Sequence, residues 1–362
     1  MRSLIDIPDF SRDELFSLMN LALDIAKNPE KYSESCKGKK LATLFFEPST
    51  RTRLSFEAAM LELGGSVLGF SDSASSSTSK GESVSDTARI VSCYADIIAM
   101  RHPFEGAPYV ASRAASVPVI NAGDGGHCHP TQTLADLLTI LREKNHFDGL
   151  TVGFCGDLKY GRTVHSLLSA LSMFDDVRVI LISPEELRLP DYIKRSVLDA
   201  NGIAFEETTS LEESISSLDV LYMTRIQRER FDDLEMYDRL KDVYVLDACK
   251  MALAKPDMIV LHPLPRVNEI STDVDSDPRA AYFRQAENGK YMRKALILTL
   301  LSNEYKNDDK TRFVPEIISS LSCPNHKCIT KIEQEIKPMF VSEDNNEYRC
   351  AFCEALAVKK ED

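Results

Sequence analysis

No apolar run in this 362-residue chain is long enough to cross a bilayer. Positive charge is scarce: 43 Lys and Arg stand against 56 Asp and Glu, a formal net charge of -13. That balance argues against nucleic acid and anionic membranes as partners. It leaves small anionic substrates open, because a local cluster of Arg and Lys focuses field even inside an acidic protein. The opening Met1-Arg2-Ser3-Leu4-Ile5-Asp6-Ile7-Pro8-Asp9 interrupts any leader-like apolar core with acidic residues, so a cytoplasmic protein is expected. Gly153, Gly156 and Gly161 miss the G-x-G-x-x-G spacing of a dinucleotide loop, and no repeat of solenoid period is visible. What the chain does have is 43% hydrophobic residues and a length suited to two domains or slightly more.

The apolar pattern reads as α/β. A helical pattern at 11–28 precedes strand candidates at 41–46, 66–70, 95–100 and 117–121. A strong helix follows at 130–142, with Pro130 at its start and Leu134, Leu137, Leu138 and Leu141 as its stripe. Further strands are expected at 150–154, 177–182, 220–223, 243–246 and 258–261, and a closing helix at 281–303. Such alternation implies two parallel sheets. The segment 71–81 has six serines and no large apolar group. It reads as a loop, either a plain connector or a lid that orders around a ligand.

The junction after the first strand is the most informative feature. Leu41 to Phe46 is a buried-strand run, and Pro48-Ser49-Thr50-Arg51-Thr52-Arg53 then reads as a helix start. Hydroxyls, a guanidinium and free backbone N–H groups would converge at a positive dipole end, which is an anion site. A Ser-Thr capping box with a surface Arg is the plainer alternative. Other polar motifs also follow strands: Met100-Arg101-His102-Pro103, His127-Cys128-His129-Pro130-Thr131-Gln132, Met223-Thr224-Arg225-Ile226-Gln227 and His262-Pro263-Leu264-Pro265-Arg266. Each alone is weak.

Together, over about residues 1–306, they closely resemble the catalytic chains of the aspartate carbamoyltransferase family. Ser49-Thr50-Arg51-Thr52-Arg53 and His129-Pro130-Thr131-Gln132 match motifs shared by carbamoyltransferases, and Ser76-x-x-x-Lys80-Gly81-Glu82 matches the family's lid. Arg162, Arg225 and Gln227 match aspartate-binding positions. His262-Pro263-Leu264-Pro265-Arg266 matches the aspartate branch, whereas the ornithine branch has a Cys after the His. The resemblance implies carbamoyl transfer from carbamoyl phosphate to L-aspartate, the committed step of pyrimidine biosynthesis, with no catalytic cofactor. It implies phosphate contacts from Ser49, Thr50, Arg51, Thr52 and Arg101, with Ser76 and Lys80 entering from a neighbouring subunit. Ser76 is the less secure of that pair, because Ser75, Ser77 and Ser79 would substitute if the loop shifts. Thr52, Arg101 and His129 would face the carbonyl oxygen, and Gln132 the carbamoyl NH₂ group. Arg162, Arg225 and Gln227 would hold the aspartate carboxylates, the Leu264 carbonyl would orient the amine, and Pro263 would be a further substrate-binding residue. Thr52, Lys80, Arg101 and His129 would be the catalytic set. A homotrimer, or a multiple of one, follows from sites shared between chains. His102 and His127 match no role in the family and read as structural.

Nine cysteines divide unevenly. Cys36, Cys93, Cys128, Cys155 and Cys249 stand singly and read as ordinary thiols in a reducing compartment. Cys323-x₄-Cys328 and Cys350-x₂-Cys353 form two close pairs, which read as a structural tetrathiolate Zn²⁺ site. Two fortuitous pairs or two disulfides are the alternative. His326, inside the first pair, is not expected to be a ligand. A module of about 50 residues needs such a staple, since its own core is small. The segment resembles the zinc domain of the aspartate carbamoyltransferase regulatory chain, here fused to the catalytic chain. Only residues 302–322 separate the two parts, too few for that chain's nucleotide-binding domain. No CTP or ATP control through such a domain is therefore expected. The fused module is expected to pack on the catalytic body and support assembly.

The expected architecture is thus two parallel-sheet α/β domains of carbamoyltransferase fold plus a small zinc domain held by four cysteines. The boundaries are 1–130 for carbamoyl phosphate, completed by the helix at about 285–305; 131–284 for aspartate; and 310–362 for zinc.

Overall fold

The computed structural model describes residues 2–72, 80–226, 234–302, 315–333, 335–342 and 347–360. Two compact units divide the chain: Met1–Thr131 with Lys290–Asp362, and Gln132–Gly289.

In the first unit, β1 (Lys40–Phe45), β2 (Ser66–Phe70), β3 (Ile97–His102) and β4 (Val119–Asp124) form a parallel sheet in the order β2-β1-β3-β4. Every residue of β1 after Lys40 is buried, as befits a strand covered on both faces. Helices Thr50–Glu62, Val84–Ser92 and Ala107–Ala114 make the crossovers that parallel pairing requires. The helix Arg12–Lys27 starts in a capping box, Ser11 accepting from the Glu14 amide while Glu14 accepts from the Ser11 amide. Leu4 continues the sheet edge, exchanging backbone hydrogen bonds with Val119 and Asn121 at 2.9 and 2.8 Å.

The second unit holds β5 (Thr151–Cys155), β6 (Arg178–Ile182), β7 (Ala204–Thr208), β8 (Val220–Met223) and β9 (Ile259–Leu261). They pair in parallel in the order β7-β6-β5-β8-β9. The strand expected at 243–246 is absent; that segment makes only an isolated bridge from Leu246 to Ile270. Tyr244 and Leu246 are buried in the core beside the sheet's own residues while Val243 is exposed, and the backbone bonds of Leu246 go to Glu269 and Ser271 rather than to the sheet. The edge strand β7 went unforeseen because Ala204-Phe205-Glu206-Glu207-Thr208 carries charges and little apolar surface, as exposed edges do.

The four cysteines of the C-terminal segment lie among two short antiparallel pairs. These are β10 (Leu321–Ser322) with β13 (Val358–Lys359), and β11 (Phe340–Ser342) with β12 (Tyr348–Cys350). The segment belongs to the first unit and shares its core: Ile329, Phe340 and Phe352 cluster with Val84, Ala107, Val110 and Ala111. Glu105 adds strand-like bonds, its amide donating to the Lys327 carbonyl and its carbonyl accepting from the Ile329 amide, both at 2.9 Å. Glu333 caps from the other side, accepting from the Val84 amide at 2.6 Å. Gly106 has φ +83°, and a Cβ there would stand 2.7 Å from the Phe352 Cβ, so the close approach requires glycine. Among the described residues, no helix is long and apolar enough to cross a membrane.

Candidate active site and metal centre

Open α/β sheets bind ligands outside the carboxyl ends of their strands, where the strand order switches direction. In the first unit that switch lies between β1 and β3. Ser49 N-caps the 13-residue helix after β1, yet its side chain makes no capping bond. The plainer capping-box reading is therefore not realised, and the first N–H groups of this helix take no cap from it. Thr52 is buried in the first turn, and Arg51 is exposed. Arg101 stands at the end of β3, where the β3–β4 register shifts between Met100 and His102. Its Nη2 pairs with Glu47 Oε1 at 2.7 Å, and its buried Nε has no hydrogen-bond partner among the described residues.

His129, after β4, is buried with Nε2 3.4 Å from Arg101 Nη1 and Nδ1 3.5 Å from Thr131 Oγ1. A guanidinium only donates, so this arrangement makes Nε2 the acceptor and places the ring proton on Nδ1. Gly123 has φ +117°, and a Cβ there would reach 3.0 Å from Arg101 Nη1 and 3.3 Å from His129 Cδ2. Ser49, Thr50, Arg51, Thr52, Arg101 and His129 are thus brought to adjacent strand ends of one sheet. Lys80 is exposed, in the same unit. Ser76 falls outside the described residues.

Glu47 and Gly123 were missed at the sequence level. An acidic residue directly after the first strand was the available signal for Glu47; Gly123 shows only when the strand ends are assembled.

In the second unit the switch lies between β5 and β8. Arg162 opens the helix Arg162–Leu171 after β5, and Arg225 follows β8. The loops are locked together: Thr224 Oγ1 accepts from the Asp157 amide at 2.9 Å, and Asp157 Oδ1 accepts from the Tyr160 amide at 2.9 Å. Pro263 and Leu264 follow β9, the next strand over. Leu264 sits at φ +50°, and its amide donates to His262 Nδ1 at 2.8 Å. His262 Nε2 then carries the proton and bonds Glu269 Oε1 at 2.7 Å. Burial opposes the charge on Glu269, but the His262 bond and the Val267 amide outweigh it and hold the carboxyl below its ordinary range. Gln132 donates through Nε2 to Asp136 Oδ1 at 2.8 Å. Gln227 lies outside the described residues.

Cys323, Cys328, Cys350 and Cys353 are buried, with sulfur atoms all within 4.8 Å of one another. Cys323 Sγ lies 3.4 Å from Cys353 Sγ, and Cys328 Sγ lies 3.7 Å from Cys350 Sγ. A disulfide needs about 2.0 Å. A tetrahedral ion at about 2.3 Å from each sulfur gives edges of about 3.8 Å, so the thiol set fits a metal. His326 is exposed and is not in this group. Asp124, His127 and Cys128 also converge. There, His127 Nδ1 is 3.0 Å from Asp124 Oδ2 and 3.6 Å from Cys128 Sγ, the lengths of direct hydrogen bonds.

Two parallel sheets, each with guanidinium groups at a strand-order switch, define an α/β enzyme built for small anionic substrates. The chain belongs to the aspartate/ornithine carbamoyltransferase family. Residues 2–142 match that family's carbamoyl-P binding domain and residues 148–300 its Asp/Orn binding domain. Residues 315–361 match the metal binding domain of the aspartate carbamoyltransferase regulatory chain. The aspartate carbamoyltransferase catalytic subunit of Lachnoclostridium phytofermentans is 63% identical over 302 residues, 83% of this chain and 98% of its own length. The solved catalytic subunit of M. jannaschii aspartate transcarbamoylase is 47% identical, with TM-score 0.79, over 84% of this chain and 99% of that one. Aspartate transcarbamoylase from Trypanosoma cruzi, solved with carbamoyl phosphate and aspartate, is 41% identical, with TM-score 0.79, over 83% of this chain and 97% of that one.

Proposed function

We propose that this chain transfers the carbamoyl group of carbamoyl phosphate to the amine of L-aspartate, giving N-carbamoyl-L-aspartate and phosphate on the route to pyrimidines. The observation that carries the reading is the uncapped helix start at Ser49 beside Arg101, at the strand switch of a sheet in this family. Ser49, Thr50, Arg51, Thr52 and Arg101 take the phosphate, and Lys80 with Ser76 of an adjacent chain complete its neutralisation. Arg162 and Arg225, with Gln227, take the two carboxylates of aspartate in forked geometry. The carbonyl of Leu264 orients the amine, and Pro263 is a further substrate-binding residue.

The amine nitrogen bonds to the carbamoyl carbon, and the carbon–oxygen bond to phosphate breaks. Phosphate leaves with the electron pair and takes up the proton the amine sheds. Negative charge grows on the carbonyl oxygen, and Thr52, Arg101 and His129 face it. Gln132 holds the carbamoyl NH₂ group. No side chain forms a covalent intermediate; rate comes from holding two reactants in line and excluding water.

The purified, metal-loaded protein is expected to form N-carbamoyl-L-aspartate from carbamoyl phosphate and L-aspartate, and to leave L-ornithine unreacted. Turnover with ornithine alone, or with neither amine, would overturn the reading.

The tetrathiolate site takes Zn²⁺ in a structural role, since four thiolates favour a tetrahedral borderline-soft ion and no substrate-binding residue lies in the module. Thiolate ligation and the remaining free thiols suit a reducing, cytoplasmic setting. The enzyme works as a homotrimer or a multiple of one. Leu54 and Leu61 support this, being 57% and 59% exposed two turns apart on the helix Thr50–Glu62, an apolar stripe suited to a subunit contact. Mixing Lys80→Ala chains with Arg51→Ala chains is expected to restore activity, because some shared sites then carry neither lesion. Verified subunit exchange without recovery would count against sharing.

A further inference from the structure

Asp136 is fully buried on the helix Pro130–Lys144, yet no role has been given to it. Three donors from three elements converge on its carboxylate. Gln132 Nε2 and Gln285 Nε2 donate to Oδ1 at 2.8 and 2.6 Å, and the Tyr222 hydroxyl donates to Oδ2 at 3.1 Å. We propose that Asp136 is a positioning residue for carbamoyl transfer. It turns the Gln132 amide so that the acceptor Oε1 meets the carbamoyl NH₂ group, and through Gln285 it steadies the backbone that orients the amine. The inference rests on the carbamoyl-transfer reading.

The chemistry of the donor set fixes the directions. An ionised carboxylate only accepts, so each glutamine must turn its NH₂ end toward Asp136. For Gln132 that leaves Oε1 as the end offered to substrate. An oxygen is what a carbamoyl NH₂ needs, whereas an amide turned the other way would set donor against donor. For Gln285 it leaves Oε1 as an acceptor, and that oxygen takes the buried His262 amide at 2.9 Å. His262 in turn accepts from the Leu264 amide at 2.8 Å and is fixed by Glu269 at 2.7 Å. Glu269 Oε2 closes the chain by accepting from the Val267 and Asn268 amides at 3.0 and 3.1 Å. The orientation of both glutamine amides is thereby set by one carboxylate, and the Leu264 amide sets Nδ1 as the acceptor of His262. Leu264 needs this hold, since a non-glycine residue at φ +50° is strained.

The test is Asp136→Asn in the full-length, metal-loaded protein. Asparagine keeps the shape but brings its own NH₂ group, so Gln132 is free to turn over. Two inhibitors read the orientation: phosphonoacetamide, which ends in an amide NH₂, and phosphonoacetate, which ends in a carboxylate. The natural protein should prefer phosphonoacetamide. In Asp136→Asn that preference should fall about 10-fold and kcat about 100-fold, while inhibition by inorganic phosphate stays unchanged. In a Gln132→Ala background the same change should cost less than about 2-fold in the preference, since the residue acts through Gln132. An unchanged preference in folded Asp136→Asn, or a full additional loss on top of Gln132→Ala, overturns the proposal. If Asp136→Asn does not fold, Tyr222→Phe takes its place. Losing one donor loosens the carboxylate and should lower the preference about 3-fold, and no change there overturns the proposal equally. A natural protein with neither turnover nor inhibition by phosphonoacetamide would defeat the carbamoyl-transfer reading itself. An active one with an unmoved preference would defeat only the role of Asp136.

Discussion

Replacing Arg101 by alanine is expected to lower kcat about 1,000-fold and to raise KM for carbamoyl phosphate, with the fold intact. Among the described residues, the guanidinium is the one cation that strand register itself places at the β1–β3 switch, where the β3–β4 register shifts. Its neighbours already crowd it into position: Glu47 pairs with it at 2.7 Å, and a Cβ on Gly123 would stand 3.0 Å from its Nη1. Such a preset donor costs no reorganisation when charge develops on the substrate, which is where a fixed cation gains most. Stability should change by no more than about 1 kcal/mol, because the partner Glu47 stays partly open to water. Arg101→Lys keeps the charge and loses the planar fork, so it should recover at most about tenfold of the lost rate. Steady-state kinetics with both substrates varied, alongside urea midpoints, check this. A folded Arg101→Ala enzyme within tenfold of the natural kcat would show that Arg101 does not face the reacting group.

Legibility from sequence followed the physics of each element. β1 and its following helix were readable because a parallel strand buried on both faces is a continuous apolar run and the next turn needs helix-start residues. The cysteine pairs were readable because metal spacing is local. The run Val243 to Leu246 misled because apolar, β-branched residues signal burial, and here Tyr244 and Leu246 are buried in the core without their backbone joining the sheet. β7 failed in the opposite way, its glutamates masking an edge strand. Asp136 was invisible between Leu134 and Leu137 of a core stripe. A polar residue in that setting makes sense only when Tyr222 and Gln285, 86 and 149 positions away in the chain, supply their donors. Glu47 and Gly123 are of the same kind, since their meaning lies in the Arg101 guanidinium that β3 brings alongside.

The second large effect is expected from the metal. Stripping it, or replacing Cys328 by serine, should unfold residues 315–360 and lower the melting temperature on the order of 10 °C. The segment's strands are two or three residues long, and its buried apolar side chains share a core with Val84, Ala107 and Val110 rather than forming one of their own. Its order therefore depends on four buried sulfurs being held at one point, and without that constraint four thiols are simply free to part. The loss would not stop at the segment. Phe340 and Phe352 lie in one core with Val84, Ala107 and Val110, so unfolding would bare that face of the first unit to water. Burying each of the Phe and Val side chains contributes roughly 1.5–3 kcal/mol. Glu105 would lose both its backbone bonds to 327–329, and the Val84 amide its carboxylate cap. Glu105 stands four residues after Arg101, so a loosened 103–107 loop should lower activity without removing any group from the site. Hydrogen exchange should rise at 84 and 105–107 together with 321–359, and one equivalent of Zn²⁺ should restore protection, melting temperature and rate in parallel. A metal-free protein with unchanged melting and unchanged exchange at Glu105 would mean that packing against the first unit, not the ion, holds the module in place.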